Sequence, residues 1–241
     1  MCAQQMNSTR AQISIRHAVL AWLGAWVVGN IAAGIVLGAS GHDSVAEAGH
    51  GWLVGISVAQ WVPMLVAVWT LGRRFGVGKL AADYGLSFRP IDLVGIPIAV
   101  ATQFLFVPLL YVPLRAIWPG TFSNERIERR ARDLFAHPSG AGTAALIVVV
   151  VIGAPLIEEL VYRGLLQGAF GRRLKQWRGW LALVLVAALF ALVHFQPVEY
   201  PGLFLIGLVL GACALLTGRL GMGVLAHAAF NASALVLVAR L

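Results

Sequence analysis

Ala154-Pro155-Leu156-Ile157-Glu158-Glu159-Leu160-Val161-Tyr162-Arg163-Gly164 lies inside a long apolar run, from about Ala144 to Phe170. Two carboxylates and a guanidinium stand where hydrocarbon would be expected. Ionisable groups at bilayer depth are costly, so they face a protein interior or a water-filled cavity and usually mark function. The other helices are read as the walls of that cavity. The bland alternative is a charge cluster that packs helices or binds lipid headgroups.

Helical spacing separates the two acids. At about 100° per residue, Glu159 and Arg163 fall about 40° apart on one face, within salt-bridge reach. Glu158 and Arg163 are about 140° apart and pair less easily. Arg163 is therefore expected to hold Glu159 ionised and oriented, and Glu158 is left without a cation on its own helix. An unpaired carboxylate in a low-dielectric site binds a proton more readily than one in water, which suits a general base near neutral pH.

Composition sets the class. The chain is 59% hydrophobic and 12% charged, against about 25% charged in a soluble domain. Its mean hydropathy is +0.83. The net charge of +8 does not point to nucleic acid. The basic residues cluster at the ends of apolar segments, as membrane topology requires. Cys2 and Cys213 are isolated, with no CxxC and no disulfide framework. Cys213, in an apolar helix, reads as core.

The chain reads as an all-α, polytopic transmembrane bundle of about seven spans. Residues 1–16 are taken as a short, flexible polar leader. Residues 17–140 hold the N-terminal spans, and 141–241 a helical core, within one structural domain. The spans are His17 to Ala39, Trp52 to Leu71, Leu93 to Ile117, the central helix, Trp180 to His194, Gly202 to Leu216 and Met222 to Val238. The first is longer than the 7–15 residue apolar core of a signal peptide, so it is read as retained. Phe88-Arg89-Pro90 and Asp92 look like a turn and a helix cap. Thr121 to Ser139 mixes acids with four arginines and reads either as an interfacial amphipathic helix or as a solvated loop helix. The central apolar run is roughly 40 Å long against a ~30 Å hydrocarbon core, so it tilts or projects. Arginine and lysine counts place the N-terminus, the 73–89 and 172–178 loops and Arg219 in the cytoplasm. The expected location is a bacterial cytoplasmic (inner) membrane.

Phe190-Ala191-Leu192-Val193-His194 ends the fifth span, and His227-Ala228-Ala229-Phe230-Asn231 lies in the seventh. His227 and Asn231 are four apart and share a face. Glu158, His194, His227 and Asn231 can converge from three helices. Such a set can hydrolyse: Glu158 and His194 activate a water, while His227 and Asn231 donate to an oxyanion, a contribution of about 3 kcal/mol per donor. Glu158, His194 and His227 could alternatively hold Zn2+ with an open position for water, although HExxH is absent. His194 lies near the exit of its span and His227 early in a span of the same direction. If they meet, the 196–201 link must dip into the membrane, where irregular backbone survives only when buried or lining a wet cavity.

Glu158-Glu159-x-x-x-Arg163, then Phe190-x-x-x-His194, then His227-x-x-x-Asn231 resembles the three motifs of the CPBP family. These are the CAAX-processing type II prenyl endopeptidases and their bacterial relatives, including bacteriocin-immunity and lysostaphin-resistance-like proteins. Each motif alone is weak; their order and placement on successive apolar helices make the combination specific. The resemblance covers roughly residues 140 to 235. It implies an intramembrane endopeptidase with an all-helical core, and a membrane-proximal, lipophilic or lipidated peptide as substrate. It implies Glu158 as the base, assisted by His194, with His227 and Asn231 at the oxyanion or, in the metalloprotease description, at a metal. Glu159, Arg163 and Phe190 would support them. The prenylated CAAX substrate belongs to the eukaryotic branch and is not transferred to this chain. The preferred mechanism needs no cofactor. The competing readings are a transporter or proton relay, against which the lack of an internal repeat argues mildly, and an immunity or scaffold protein that works by binding.

Overall fold

The computed structural model describes residues 10–45, 47–123, 125, 126, 140–173 and 179–238. Among them there are seven apolar helices and no strand. They are α1 (Ile15–Ala39), α2 (His50–Phe75), α3 (Pro90–Ile117), α4 (Gly140–Gly171), α5 (Gly179–Leu192), α6 (Tyr200–Thr217) and α7 (Gly221–Val238). Helices α1 to α4 and α6 are long and apolar enough to cross a membrane; α5 and α7 are shorter apolar helices. Large apolar side chains point outward along α1 and α3, with Ile35 68% and Leu109 67% exposed. Water would not tolerate that surface but lipid does, and the chain is an integral membrane protein. Most of the segment read as an interfacial helix, 121–139, lies outside the described residues.

Local sequence sets the helix ends. Ser14 caps α1 by accepting the His17 N–H at 3.2 Å. The turn before α3 is built as the sequence suggests: Asp92 accepts the Arg89 N–H at 2.8 Å, and Pro90 opens the helix. Asp92 is fully buried and also binds Arg219 twice, at 2.6 and 3.2 Å. The start of α3 is thereby tied to the α6–α7 turn.

The leader is not flexible throughout. Over 10–14 it lies against the α2–α3 connection. Ala11 N–H donates to Asp83 O and Gln12 N–H to Phe75 O. Ala11 and Ile13 are buried, and the Arg10 guanidinium donates to Gly218 O. Polar composition suggested a solvated tail; the backbone bonds and two small apolar side chains fix it instead.

Helix α4 is the axis. All nine residues from Glu159 to Gln167 are buried. The axis touches α1, α2, α5, α6 and α7, while α3 packs on α7 and α6. Helices α1 and α2 form a tight pair. A Cβ placed on the buried Gly29 of α1 would lie 2.5 Å from the Gln60 carbonyl of α2, so this crossing demands glycine. Around Gly34, on the same helix, a Cβ meets nothing within 4 Å. Gly29→Ala should therefore destabilise by about 1–3 kcal/mol through overpacking. Gly34→Ala should be neutral or stabilising by up to about 1 kcal/mol. Thermal unfolding in detergent compares the two, and equal midpoints would contradict the close crossing.

Candidate active site

Pro155 shapes the start of the site. Upstream of it α4 widens over Val149–Gly153, and the Ala154 N–H bonds back to Val149 O in an i→i+5 turn. The next bond of that pattern would run from residue 155 to Val150 O, but proline has no N–H. Asn231 of α7 supplies the missing donor: its Nδ2 reaches Val150 O at 2.8 Å. Widened turns of this type occur often at functional sites. A second widened stretch runs over Glu159–Gln167. Asn231 thus spends one N–H on α4 and keeps a second.

The next layer is a buried polar ladder along α4. Arg163 Nη1 meets Glu159 Oε1 at 2.8 Å with both side chains inaccessible, the pairing the helical spacing suggested. Arg163 Nη2 donates to Gly207 O at 3.2 Å, and Gln167 Nε2 to Gly211 O at 2.9 Å. The guanidinium also lies 4.7 Å from the Phe190 ring centroid. Gly207 and Gly211 let α6 approach: a Cβ on Gly207 would sit 3.2 Å from the Ala187 Cα, and one on Gly211 2.7 Å from the Leu183 Cγ. Gly223 of α7 is constrained likewise, since its Cβ would lie 2.8 Å from Glu159 Oε2. Sequence reading missed Gln167, Gly207, Gly211 and Gly223. The signals were present in Gln167 as the next i+4 position after Glu159 and Arg163, and in Gly207-x-x-x-Gly211 within an apolar helix.

His227 bridges the two acids. Its Nδ1 is 3.2 Å from Glu159 Oε1 and its Nε2 3.7 Å from Glu158 Oε2. Glu159, paired with Arg163, faces Nδ1, which turns Nε2 toward Glu158. Glu158 has no arginine or lysine partner among the described residues; its side chain is 20% exposed, against 0% for Glu159. That exposure opens onto a cavity of about 340 Å³ that His194 also lines. The fifth span ends earlier than expected, at Leu192, so His194 sits in the turn beyond the helix. Its Nδ1–H donates to Phe190 O at 2.6 Å, leaving the Nε2 lone pair free. Phe195, next in the chain, has φ +52 and is 64% exposed, so the turn after His194 is strained.

Phe190 resolves the difference in depth between the histidines. Its ring centroid is 5.0 Å from that of His194 and 5.8 Å from that of His227, edge-on to both. The 196–201 link is held by Tyr111 of α3, whose hydroxyl donates to Val198 O at 2.5 Å. His194 and His227 thus pack on Phe190, with Glu158 beside His227 and Asn231 bonded to Val150. Among the described residues no three His, Cys, Asp or Glu side chains are grouped to hold a metal ion, and this includes Glu158, His194 and His227.

These features define a polytopic helical membrane protein with an acid–histidine cluster opening onto an internal cavity. Residues 140–233 match the family model described as Type II CAAX prenyl endopeptidase Rce1-like. This is the family the three motifs resemble, and the matched stretch contains every motif residue from Glu158 to Asn231. An Escherichia coli relative described as an uncharacterized 24.3 kDa protein is 27% identical over 140 residues. That alignment covers 55% of this chain and 64% of the relative, so the chain spans less than two thirds of the curated relative it matches. No solved structure matches the chain.

The Pro155–Asn231 relation is directly testable. Asn231→Ala orphans a partly buried carbonyl and should cost about 1 kcal/mol in detergent unfolding. Adding Pro155→Ala restores a backbone N–H and should recover part of that loss. Losses that simply add would contradict the capping role.

Proposed function

We propose that this protein is an intramembrane endopeptidase, hydrolysing a peptide bond in a membrane-proximal or lipophilic substrate. The observation that carries the reading is the shared cavity: Glu158 and His194 both face it, one through its partly exposed carboxylate and the other from a turn beyond its helix. No ion pair joins them, so a substrate water can stand between the carboxylate and His194 Nε2. The Rce1-like match over residues 140–233 supports the reaction class.

In this mechanism Glu158, assisted by His194, takes a proton from the water, and the resulting hydroxide adds to the scissile carbonyl. The oxyanion is held by His227 Nε2–H and by the second N–H of Asn231. Because Nδ1–H of His227 is given to Glu159, donation from Nε2 requires the imidazolium form of the ring. The intermediate collapses with transfer of the proton from Glu158 to the leaving nitrogen. Glu159 and Arg163 orient His227 and do not exchange protons with substrate. No step needs a metal. We further place the protein in a bacterial cytoplasmic membrane with its N-terminus inside, on the distribution of lysine and arginine.

The test is cleavage of internally quenched apolar peptides, with and without a prenylated cysteine, by the full chain in liposomes. Glu158→Gln, His194→Ala and His227→Ala should each lower kcat at least about 100-fold, the scale of losing a positioned acid–base group or oxyanion donor. Thermal midpoints should show the variants still assembled. EDTA or phenanthroline should leave wild-type cleavage unchanged. Wild-type rates in Glu158→Gln would reject the assignment, and loss of activity on chelation, restored by zinc, would reject the metal-free route.

A further inference from the structure

The cavity has a second half that the Rce1-like domain does not supply. Its far wall comes from α1 and α2, which lie outside residues 140–233, and it carries Trp26, Asn30, Ser57, Gln60 and Trp61. Three of these are uncharged polar side chains facing the same space as Glu158 and His194. Ser57 returns its hydroxyl to Leu53 O at 2.9 Å, an ordinary bond within its own helix. Asn30 donates Nδ2 to Trp26 O at 2.8 Å and keeps Oδ1 as an acceptor. The Gln60 side chain makes no hydrogen bond to another described residue.

A carboxamide on a membrane helix is costly unless something pairs with it. The Gln60 side chain does not hold α1 to α2; the Gly29 contact with its backbone carbonyl does that. Because Asn30 follows Gly29 and Gln60 is the residue it touches, the crossing sets both carboxamides at one level. Each offers an acceptor, and Gln60 also offers two donors. An extended peptide presents alternating N–H and C=O groups along its edge, which is the complement of such a pair. Trp26 and Trp61 beside them give an apolar body for a side chain of the same peptide.

We propose that Gln60, with Asn30, is the substrate-positioning edge of this cavity, binding the main chain of an extended peptide whose apolar side chain rests on Trp26 and Trp61. This rests on the endopeptidase reading for its reaction but not for its binding. The Rce1-like domain supplies the chemistry and the α1–α2 pair the register. Neither carboxamide is placed to exchange protons, so both are positioning residues.

The experiment uses the full chain carrying Glu158→Gln in lipid nanodiscs, so that no turnover intervenes. The probe is a fluorescein-labelled octapeptide of alanine, leucine and phenylalanine, and the same peptide N-methylated at alternate amides. The unmethylated peptide should bind saturably. Gln60→Leu should weaken it about tenfold, the loss of one well-made hydrogen bond. The N-methylated peptide should bind the Gln60 protein comparably weakly, with no further loss in Gln60→Leu. Leucine is close to glutamine in volume and suits a membrane helix, and an unchanged thermal midpoint shows the variant assembled. Equal affinity for the unmethylated peptide with and without Gln60→Leu overturns the proposal, as does absence of saturable binding. In the chain with Glu158 intact, Gln60→Leu should raise KM more than it lowers kcat. Gln60-dependent binding without Glu158-dependent cleavage would sink the endopeptidase reading alone. Glu158-dependent cleavage with KM unmoved by Gln60→Leu would sink this inference alone.

Discussion

The ion pair between Glu159 and Arg163 is the constraint on which the rest of the structure depends. It lies at 2.8 Å with both side chains out of reach of solvent. A buried pair stabilises little by itself, because desolvation offsets most of the attraction, yet losing one partner strands a charge in low dielectric. The surroundings are therefore built to keep both partners in place. Arg163 is bound by the Gly207 carbonyl and sits over Phe190. Glu159 receives His227 and is crowded by Gly223. Three helices are thereby registered against α4 by polar contacts in a medium where apolar packing alone gives little register.

That register leaves the neighbouring residue apart from the arginine. Glu158 is one step along the helix and is turned away from the arginine, toward His227 Nε2 and the cavity. Adjacent glutamates in identical chemistry thus occupy different environments, one locked by a cation and the other open to the cavity. Phe190 does similar work for the histidines. Its ring packs on both, and its carbonyl fixes the tautomer of His194. A single aromatic residue joins a turn after α5 to the interior of α7, which straight helices at different depths would not achieve.

Much of this was legible in the residues. The spans follow from apolar runs with basic ends, and all seven fall within a few residues of where hydropathy puts them. The asymmetry between Glu158 and Glu159 follows from an i,i+4 count. What was not legible depends on partners far away in the chain. Asn231 reads as an oxyanion donor by its distance from His227. Its bond to Val150 appears only once Pro155 is seen to leave that carbonyl without a donor in a widened turn. Docking of residues 10–14 rests on backbone bonds to Phe75 and Asp83, which side-chain polarity does not report. The α1–α2 wall carries no motif, so its approach to Glu158 required the fold.

The most direct measurement is a double-mutant cycle on Glu159→Gln and Arg163→Met, followed by reversible unfolding in lipid nanodiscs. If the pair registers the bundle, each single change costs about 3–5 kcal/mol. The double change should then cost less than the sum by about 2 kcal/mol, within the range for residues in direct contact. Strictly additive losses would mean that the two charges do not depend on each other, and the arrangement of His227 and Glu158 around them would lose its foundation.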